Sequence, residues 1–343
     1  MWRFLKSGFG SSVVFIVQPY RVVMAPSRGS ADSLEYPQNL VQTLDAHQGP
    51  VYVVRYNHGA KYCLSGSADR SIRLWNPIAG KEIKCYNGHA KEVLALDIAH
   101  DNAKFASCGG DKMVLVWDVA SGQVLRRLQG HFGKINAVAF NKDAQVLASA
   151  GFDAKIMLWD MRAATRDPIQ TLKESTNSIT SLSIPSDLPE IISGSLDGHL
   201  RTHDLRMGKM TEDLVGSPIV SVQASPTAPK DTILVSSMDG KLRVFDRSDG
   251  NVLQTFSGHK VKEVRSRACW GYGEGLVLAG DEEGKIWSWN VLDGKPIDPT
   301  PMAVHKKPIT WLELAPNGKS MVSASADGTI KVWSKSPPVE TQT

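Results

Sequence analysis

Short apolar runs rich in Val, Ile and Leu recur along the chain: VYVVRY (51–56), VLALDI (93–98), INAVAF (135–140), ITSLSI (179–184), IVSVQA (219–224), VRSRAC (264–269) and ITWLEL (309–314). Each is followed by a second β-rich run and then a turn of S-x-D-G type, where small and acidic residues let the chain reverse within a few positions, so the pattern reads as a series of β-hairpins. No stretch offers the 3.6-residue apolar spacing of an amphipathic helix. The pattern predicts an all-β chain.

The turns are copies of one motif: SGSADRSIRLWN (65–76), SCGGDKMVLVWD (107–118), SAGFDAKIMLWD (149–160), SGSLDGHLRTHD (193–204), VSSMDGKLRVFD (235–246), AGDEEGKIWSWN (279–290) and SASADGTIKVWS (323–334). Their turn acids are Asp69, Asp111, Asp153, Asp197, Asp239, Glu283 and Asp327, spaced by 42 or 44 residues. Six positions later stand Trp75, Trp117, Trp159, His203, Phe245, Trp289 and Trp333. Twenty-two before each acid lie His47, His89, His131, Ser175, Ser217 and His305, with His259 at twenty-four in the sixth copy.

A repeat of this length with Gly-His near its start and Trp-Asp at its end resembles the WD40 β-propeller family. The resemblance covers about residues 40–335 and implies an all-β, seven-bladed WD40 β-propeller with four strands per blade. An outer strand precedes each Gly-His, and LVQTLDAH (40–47) supplies one before the first blade, whereas the chain after Trp333 ends in SKSPPVETQT. Residues 40–44 are therefore expected to pair with 329–334, closing the ring through an N-terminal outer strand in the last blade and covering an edge prone to aggregation. The propeller is expected over residues 36–336, flanked by tails at 1–35 and 337–343.

The family links a His, a strand Ser, the turn Asp and the Trp by hydrogen bonds. Carried onto this chain, that implies His47–Ser65–Asp69–Trp75, His89–Ser107–Asp111–Trp117 and His131–Ser149–Asp153–Trp159. Although His, Ser and Asp also make hydrolytic triads, a bridge repeated in near-copy serves folding, and no catalytic residue is assigned. Blades four to six depart: Ser175 and Ser217 stand for the His, Val235 and Ala279 for the Ser, and Glu283 for the Asp. These blades are expected to be less rigid.

Composition narrows the function. Four of the 39 basic residues (Arg3, Lys6, Arg21, Arg28) precede the first acid, Asp32, leaving a body of 35 basic against 35 acidic residues. Such a body lacks the cationic excess of a dedicated nucleic-acid binder, although a local patch remains open. Cys63, Cys85, Cys108 and Cys269 form no C-x-x-C pair and read as small apolar residues in strands, consistent with a reducing compartment. The leading segment 1–31 is acid-free and Ser/Gly-rich, and its apolar run is too short to span a membrane. It reads as a disordered tail, an upstream start before Met24, or a mitochondrial-type targeting signal.

Candidate chemistry outside the repeat is sparse. GYGEG (271–275) and GDEEGK (280–285) fit no phosphate loop and precede no helix. His199 and His203 have the spacing of a helical metal pair, but on a strand they lie about 13 Å apart, so neither a metal nor a cofactor is expected. Recognition remains, and propellers carry it on loops and inner-strand ends. Tyr52, Arg265 and Trp311 are outsized for their inner-strand slots, and Phe152 stands where other copies mostly have small residues. Each is a candidate partner contact or a packed residue. GHKVKEVRSR (258–267) concentrates Lys260, Lys262, Arg265 and Arg267 and could meet an acidic partner or RNA, or simply be solvated.

Within the WD40 class, GGDKMVLVWDVASGQVLRRLQGH (109–131), GSLDGHLRTHDLRMGKM (194–210), VGSPI (215–219) and GHKVKEV (258–264) are similar to the mitogen-activated protein kinase organizer family. That resemblance implies a non-enzymatic, protein-binding scaffold, a single propeller inside hetero-complexes with kinase-cascade components or splicing factors, in cytoplasm and nucleus. It implies RNA only within a larger complex and no membrane. Direct RNA binding, or an adaptor role such as a ubiquitin-ligase substrate receptor or a Gβ-like subunit, are the alternatives.

Overall fold

The innermost strand is most fully screened from water in blade three, Ile135–Phe140, where all six residues are buried. Strands packed on both faces cannot alternate polar and apolar residues, which explains the continuous Val/Ile/Ala composition there. Outer strands face solvent on one side and alternate, as in Lys81–Asn87, whose one fully buried side chain is Tyr86. Leu44, Leu128 and Phe256 hold the same position in other outer strands and are buried too.

The computed structural model describes residues 35–185, 188–226 and 231–337. The leading segment and the last six residues of the chain lie outside them. Among the described residues, 28 strands form seven four-stranded antiparallel sheets around a central channel, and the single helical element is the 3-10 turn Tyr272–Glu274. Among the described residues no helix is long and apolar enough to cross a membrane. Cys63, Cys108 and Cys269 are buried thiols, whereas Cys85 is an exposed thiol on an outer strand.

Six sheets are contiguous in sequence, and the seventh is composite. Its strands Ile309–Leu314, Ser320–Ser325 and Thr329–Ser334 are completed by Asn39–Asp45, which pairs from Asn39 opposite Ser334 to Asp45 opposite Thr329. The attachment extends beyond the ladder. Tyr36 is buried against blades six and seven and its hydroxyl donates to Asp298, while the Asn39 amide donates to the Lys335 carbonyl at 2.9 Å.

The loop entering each blade and the turn that carries its acid meet on one face of the disc, called the acid-turn face below. His47 Nδ1 lies 2.8 Å from Asp69, its Nε2 2.7 Å from Ser65 Oγ, and Trp75 Nε1 donates to that Oγ at 2.9 Å. The same bridge joins His89–Ser107–Asp111–Trp117 and His131–Ser149–Asp153–Trp159. Blade seven carries a fourth, His305–Ser323–Asp327–Trp333, which the sequence reading left out. Burial pushes the pKa of His47 and His305 down, against the raising effect of Asp69 and Asp327, so each ring is a neutral bridge.

Blades four to six solve the missing bridge differently, and three readings are corrected. In blade five the slot of the His is held by Gly216, two residues past Leu214, which pairs with His199 as Asp45 pairs with Thr329 ahead of His47; the Gly216 N–H donates to the Gly198 carbonyl just as His47 N–H does to Gly328. Extra residues in the loop after the inner strand, against a shorter approach before it, had made Ser217 fall at the expected count. Second, the His is replaced in blades four and five by an arginine four residues after the acid. Arg201, 3% exposed, donates to Asp197 and Ser175 and pairs with Glu212 at 2.6 Å, while Arg243 pairs with Asp239 and donates to Ser237. These blades exchange one polar clamp for another.

Third, blade six uses Asp281, not Glu283, as its turn acid. Asp281 is 1% exposed and accepts the N–H groups of Glu283 and Lys285 and the Trp287 indole N–H at 2.8 Å. Glu283 faces outward between Lys260 and Lys285, which hold its carboxyl down to about 2. With Ala279 in the Ser slot, both ring nitrogens of buried His259 and the indole nitrogen of Trp289 lack partners, and burial pushes His259 down to about 4. An unmet buried polar group costs about 1–3 kcal/mol, so the weak point lies in blade six.

Removing residues 36–45 is expected to lower the melting temperature by more than about 10 °C in calorimetry, since several kcal/mol of pairing and burial are lost. Ala279→Ser, which restores the hydroxyl between His259 and Trp289, is expected to raise unfolding free energy by about 1 kcal/mol; an unchanged or lower value in urea titration would contradict this account of blade six.

A candidate partner-binding surface at the channel

Inner strands leave the acid-turn face and descend the channel wall, so their early residues line its mouth and their later ones its depth. The channel encloses about 810 Å³, and Tyr52, Arg265, Arg267 and Trp311 all line it. Lys260, Lys262 and Phe152 do not. Phe152 stands on the blade-three turn, 63% exposed.

Register explains which residues meet. In blade six the inner strand is Ala268–Trp270, with Ala268 opposite Ala279 as Val54 is opposite Ser65 in blade one. The blade therefore runs one residue later than the VRSRAC reading, and Arg267 rather than Ser266 shares the slot of Trp311. The longer count from His259 to the turn was the available signal, since two extra residues sit between His259 and the strand. Arg267 stacks its guanidinium over the Trp311 ring at 4.3 Å, a cation–π contact. Arg265 lies in the preceding loop, exposed at the mouth.

Below the mouth the wall carries a belt of charges that the sequence reading missed. Arg55 donates to Asp97 at 2.6 Å, and the other Asp97 oxygen accepts the Phe140 N–H at 2.7 Å. Glu313 accepts the Tyr56 N–H and the Trp311 indole N–H, both at 3.1 Å, and lies 3.7 Å from Arg55 and 4.0 Å from Arg267. Burial and the nearby Arg55 lower Arg267 to about 10, so it stays a cation at neutral pH. Burial and, secondarily, Glu92 raise the Tyr52 phenol, which stays neutral.

Other neighbours are stitched by short polar side chains. Asn136 reaches Ser178 and the Ile179 carbonyl, Thr180 the Ile219 carbonyl, Gln223 accepts from Trp270 N–H, and Thr310 donates to the Val51 carbonyl. With the belt, these bonds join the blades through the channel wall. Half-buried Trp311 thus belongs to the wall as much as to the opening.

The basic loop does not act as one patch. Lys260 is engaged by Glu283 and Arg267 is turned into the channel, whereas Lys262 and Arg265 are exposed with no ion pair among the described residues. His199 and His203 share the strand His199–Asp204, His199 facing Asp197 and Glu212 and His203 buried. Among the described residues no group of three or more His, Cys, Asp and Glu is placed to hold a metal ion.

A family model described as the WD domain, G-beta repeat, matches residues 38–76 and 300–334, the two stretches that meet in the closing blade, and one described as nucleolar protein 10-like, N-terminal domain, matches 68–293. The chain is 45% identical to rat WD repeat domain-containing protein 83 over 87% of its own length and 93% of the relative's. It is 46% identical to an uncharacterised WD repeat-containing protein of Schizosaccharomyces pombe, over 83% and 94% respectively. Human WD repeat domain-containing protein 83 is 47% identical over 76% of this chain and 81% of its own.

Glu313→Gln keeps the shape of the belt but leaves Arg55 and Arg267 undercompensated, and is expected to cost about 2 kcal/mol of stability, less than a fully buried pair because the channel admits water. Adding Arg267→Met to that variant should recover part of the loss in a double-mutant cycle; strict additivity would show that the two groups are not coupled.

Proposed function

The chain belongs to the WD repeat domain-containing protein 83 family of WD40-repeat propellers, and on that footing we propose that it is a non-enzymatic scaffold that holds several proteins at once, in kinase-cascade assembly, in spliceosome-associated complexes, or in both. The observation that carries the reading is the stitched channel wall. Seven blades fastened to one another present the loops of two opposite faces as rigid platforms, and rigid loops bind without the entropic cost of ordering. Separate faces and a separate rim let partners sit together without competing.

The motifs that support the finer reading are D-L-R-M-G at 204–208 and V-G-S-P-I at 215–219, which the chain shares with the kinase organizer family. The first forms the turn leaving strand His199–Asp204, where the Asp204 carboxylate accepts the N–H groups of Arg206 and Met207. The second carries Gly216, which holds the slot of the missing histidine. Both motifs therefore have structural duties, and the partners they imply are drawn from resemblance. A cytoplasmic and nuclear location goes with this reading.

Direct RNA binding is the poorer fit. It needs Lys260, Lys262, Arg265 and Arg267 on one accessible surface, and two of the four are already engaged by Glu283, Trp311 and Glu313. Affinity purification of the tagged full-length protein from its native cells, read by quantitative mass spectrometry, is expected to enrich kinase-cascade or splicing components after nuclease treatment. Recovery of neither class overturns the proposal, and recovery that disappears with nuclease points to RNA.

A further inference from the structure

The seven repeats act as controls for one another. On the acid-turn face the residue after the blade's His donates its N–H to the turn acid: Gln48 to Asp69 at 3.2 Å, Ala90 to Asp111 at 3.0 Å, Phe132 to Asp153 at 3.1 Å and Lys306 to Asp327 at 3.4 Å. An amide, a methyl, a phenyl and an ammonium side chain all accompany the same bond, so the bond asks nothing of the side chain. The position before the acid is as permissive, holding Ala68, Gly110, Phe152 and Ala326 in those blades. Only blade three of the seven places Phe at both.

Neither ring fills a core. Phe132 is 76% and Phe152 63% exposed. The two loops touch, since a Cβ added at Gly133 would come within 2.9 Å of Phe152 Cβ, which sets Phe152 beside the residue that follows Phe132. Lys155 holds its ammonium 5.0 Å above the Phe132 ring, and Lys134 and Lys112 are exposed on the flanking loop and the neighbouring turn. The local acid, Asp153, is engaged by His131 and the Phe132 N–H. Two exposed aromatic side chains on touching loops, one beneath an ammonium and with further exposed lysines on the same face, form an interface anchor suited to an apolar, acidic complement.

We propose that Phe132 and Phe152 anchor a partner polypeptide segment whose apolar side chains are flanked by Asp or Glu, with the acids meeting Lys134, Lys155 and Lys112. This rests on the scaffold reading and gives it a place and a chemistry. A single-stranded RNA would also use aromatics and lysines, but Lys155 covers the Phe132 ring face on which a base would stack, so a polypeptide is the better occupant.

The test pans a peptide library displayed on phage against the full-length protein, then measures an enriched, labelled peptide by fluorescence anisotropy. The expected consensus pairs Phe, Leu or Trp with acids. Phe132→Ser/Phe152→Ser should weaken binding about tenfold or more, and Lys134→Glu/Lys155→Glu several-fold with a flatter salt dependence, whereas Lys319→Glu on the opposite face should leave it unchanged. These side chains are exposed, so melting curves should match wild type; if the Phe pair melts lower, the Lys pair alone decides. No enrichment, a consensus without acids, unchanged affinity in both double variants, or labelled oligouridylate binding that the Phe variant abolishes would each overturn the proposal. If the proteins recovered in the affinity purification still co-purify with the Phe variant, the scaffold reading stands and this anchor falls.

Discussion

The molecule depends on a strand borrowed from the other end of the chain. A ring of blades without covalent closure has a seam, and here the seam is crossed by Asn39–Asp45 pairing with Thr329–Ser334, by Tyr36 reaching Asp298 and by Thr310 donating to the Val51 carbonyl. Were the seam to part, the last blade would expose an unpaired strand edge, a ready template for association with other chains. Ring closure makes stability cooperative, because every blade has two neighbours only while the ring is shut. The rigid faces and the walled channel both follow from it.

Within the ring, the repeat tolerates change wherever one polar clamp can replace another. Blades one, two, three and seven bridge His to Trp through a serine hydroxyl, whereas blades four and five set Arg201 and Arg243 on the turn acid. The constraint is satisfaction of a buried carboxylate, and either an imidazole or a guanidinium meets it. Blade six meets it with Trp287 and leaves His259 and Trp289 unpartnered. The structure is thus strongest where the repeat is most regular or where substitution came as a pair.

What the folding constraints leave free is where recognition can be built. Backbone N–H groups and buried acids hold the turns of the acid-turn face, so their exposed side chains answer to partners rather than to packing. The channel wall is the opposite case, because Arg55, Asp97, Arg267, Trp311 and Glu313 bind one another and bind the blades together. A scaffold of this design separates a fixed inner wall from a variable outer surface.

The sequence by itself determined the fold class, the number of blades and the closing strand, because the period of the turn acids and the surplus N-terminal strand are linear patterns. Through its resemblance to the WD40 family it also placed three of the four His–Ser–Asp–Trp bridges, whose members lie at constant offsets. It could not decide registers wherever residues had been inserted, so Ser217 was read for Gly216 and the inner strand of blade six was read one residue early, and it could not show that Asp281 takes over the bonds of the aligned Glu283. Counting along the chain cannot say on which side of a strand an insertion falls, whereas cross-strand pairing can. The charge belt, the arginine clamps and the approach of Phe152 to the loop that carries Phe132 were likewise decided only by tertiary structure, since each joins groups from different strands or blades that come together only once the chain has folded.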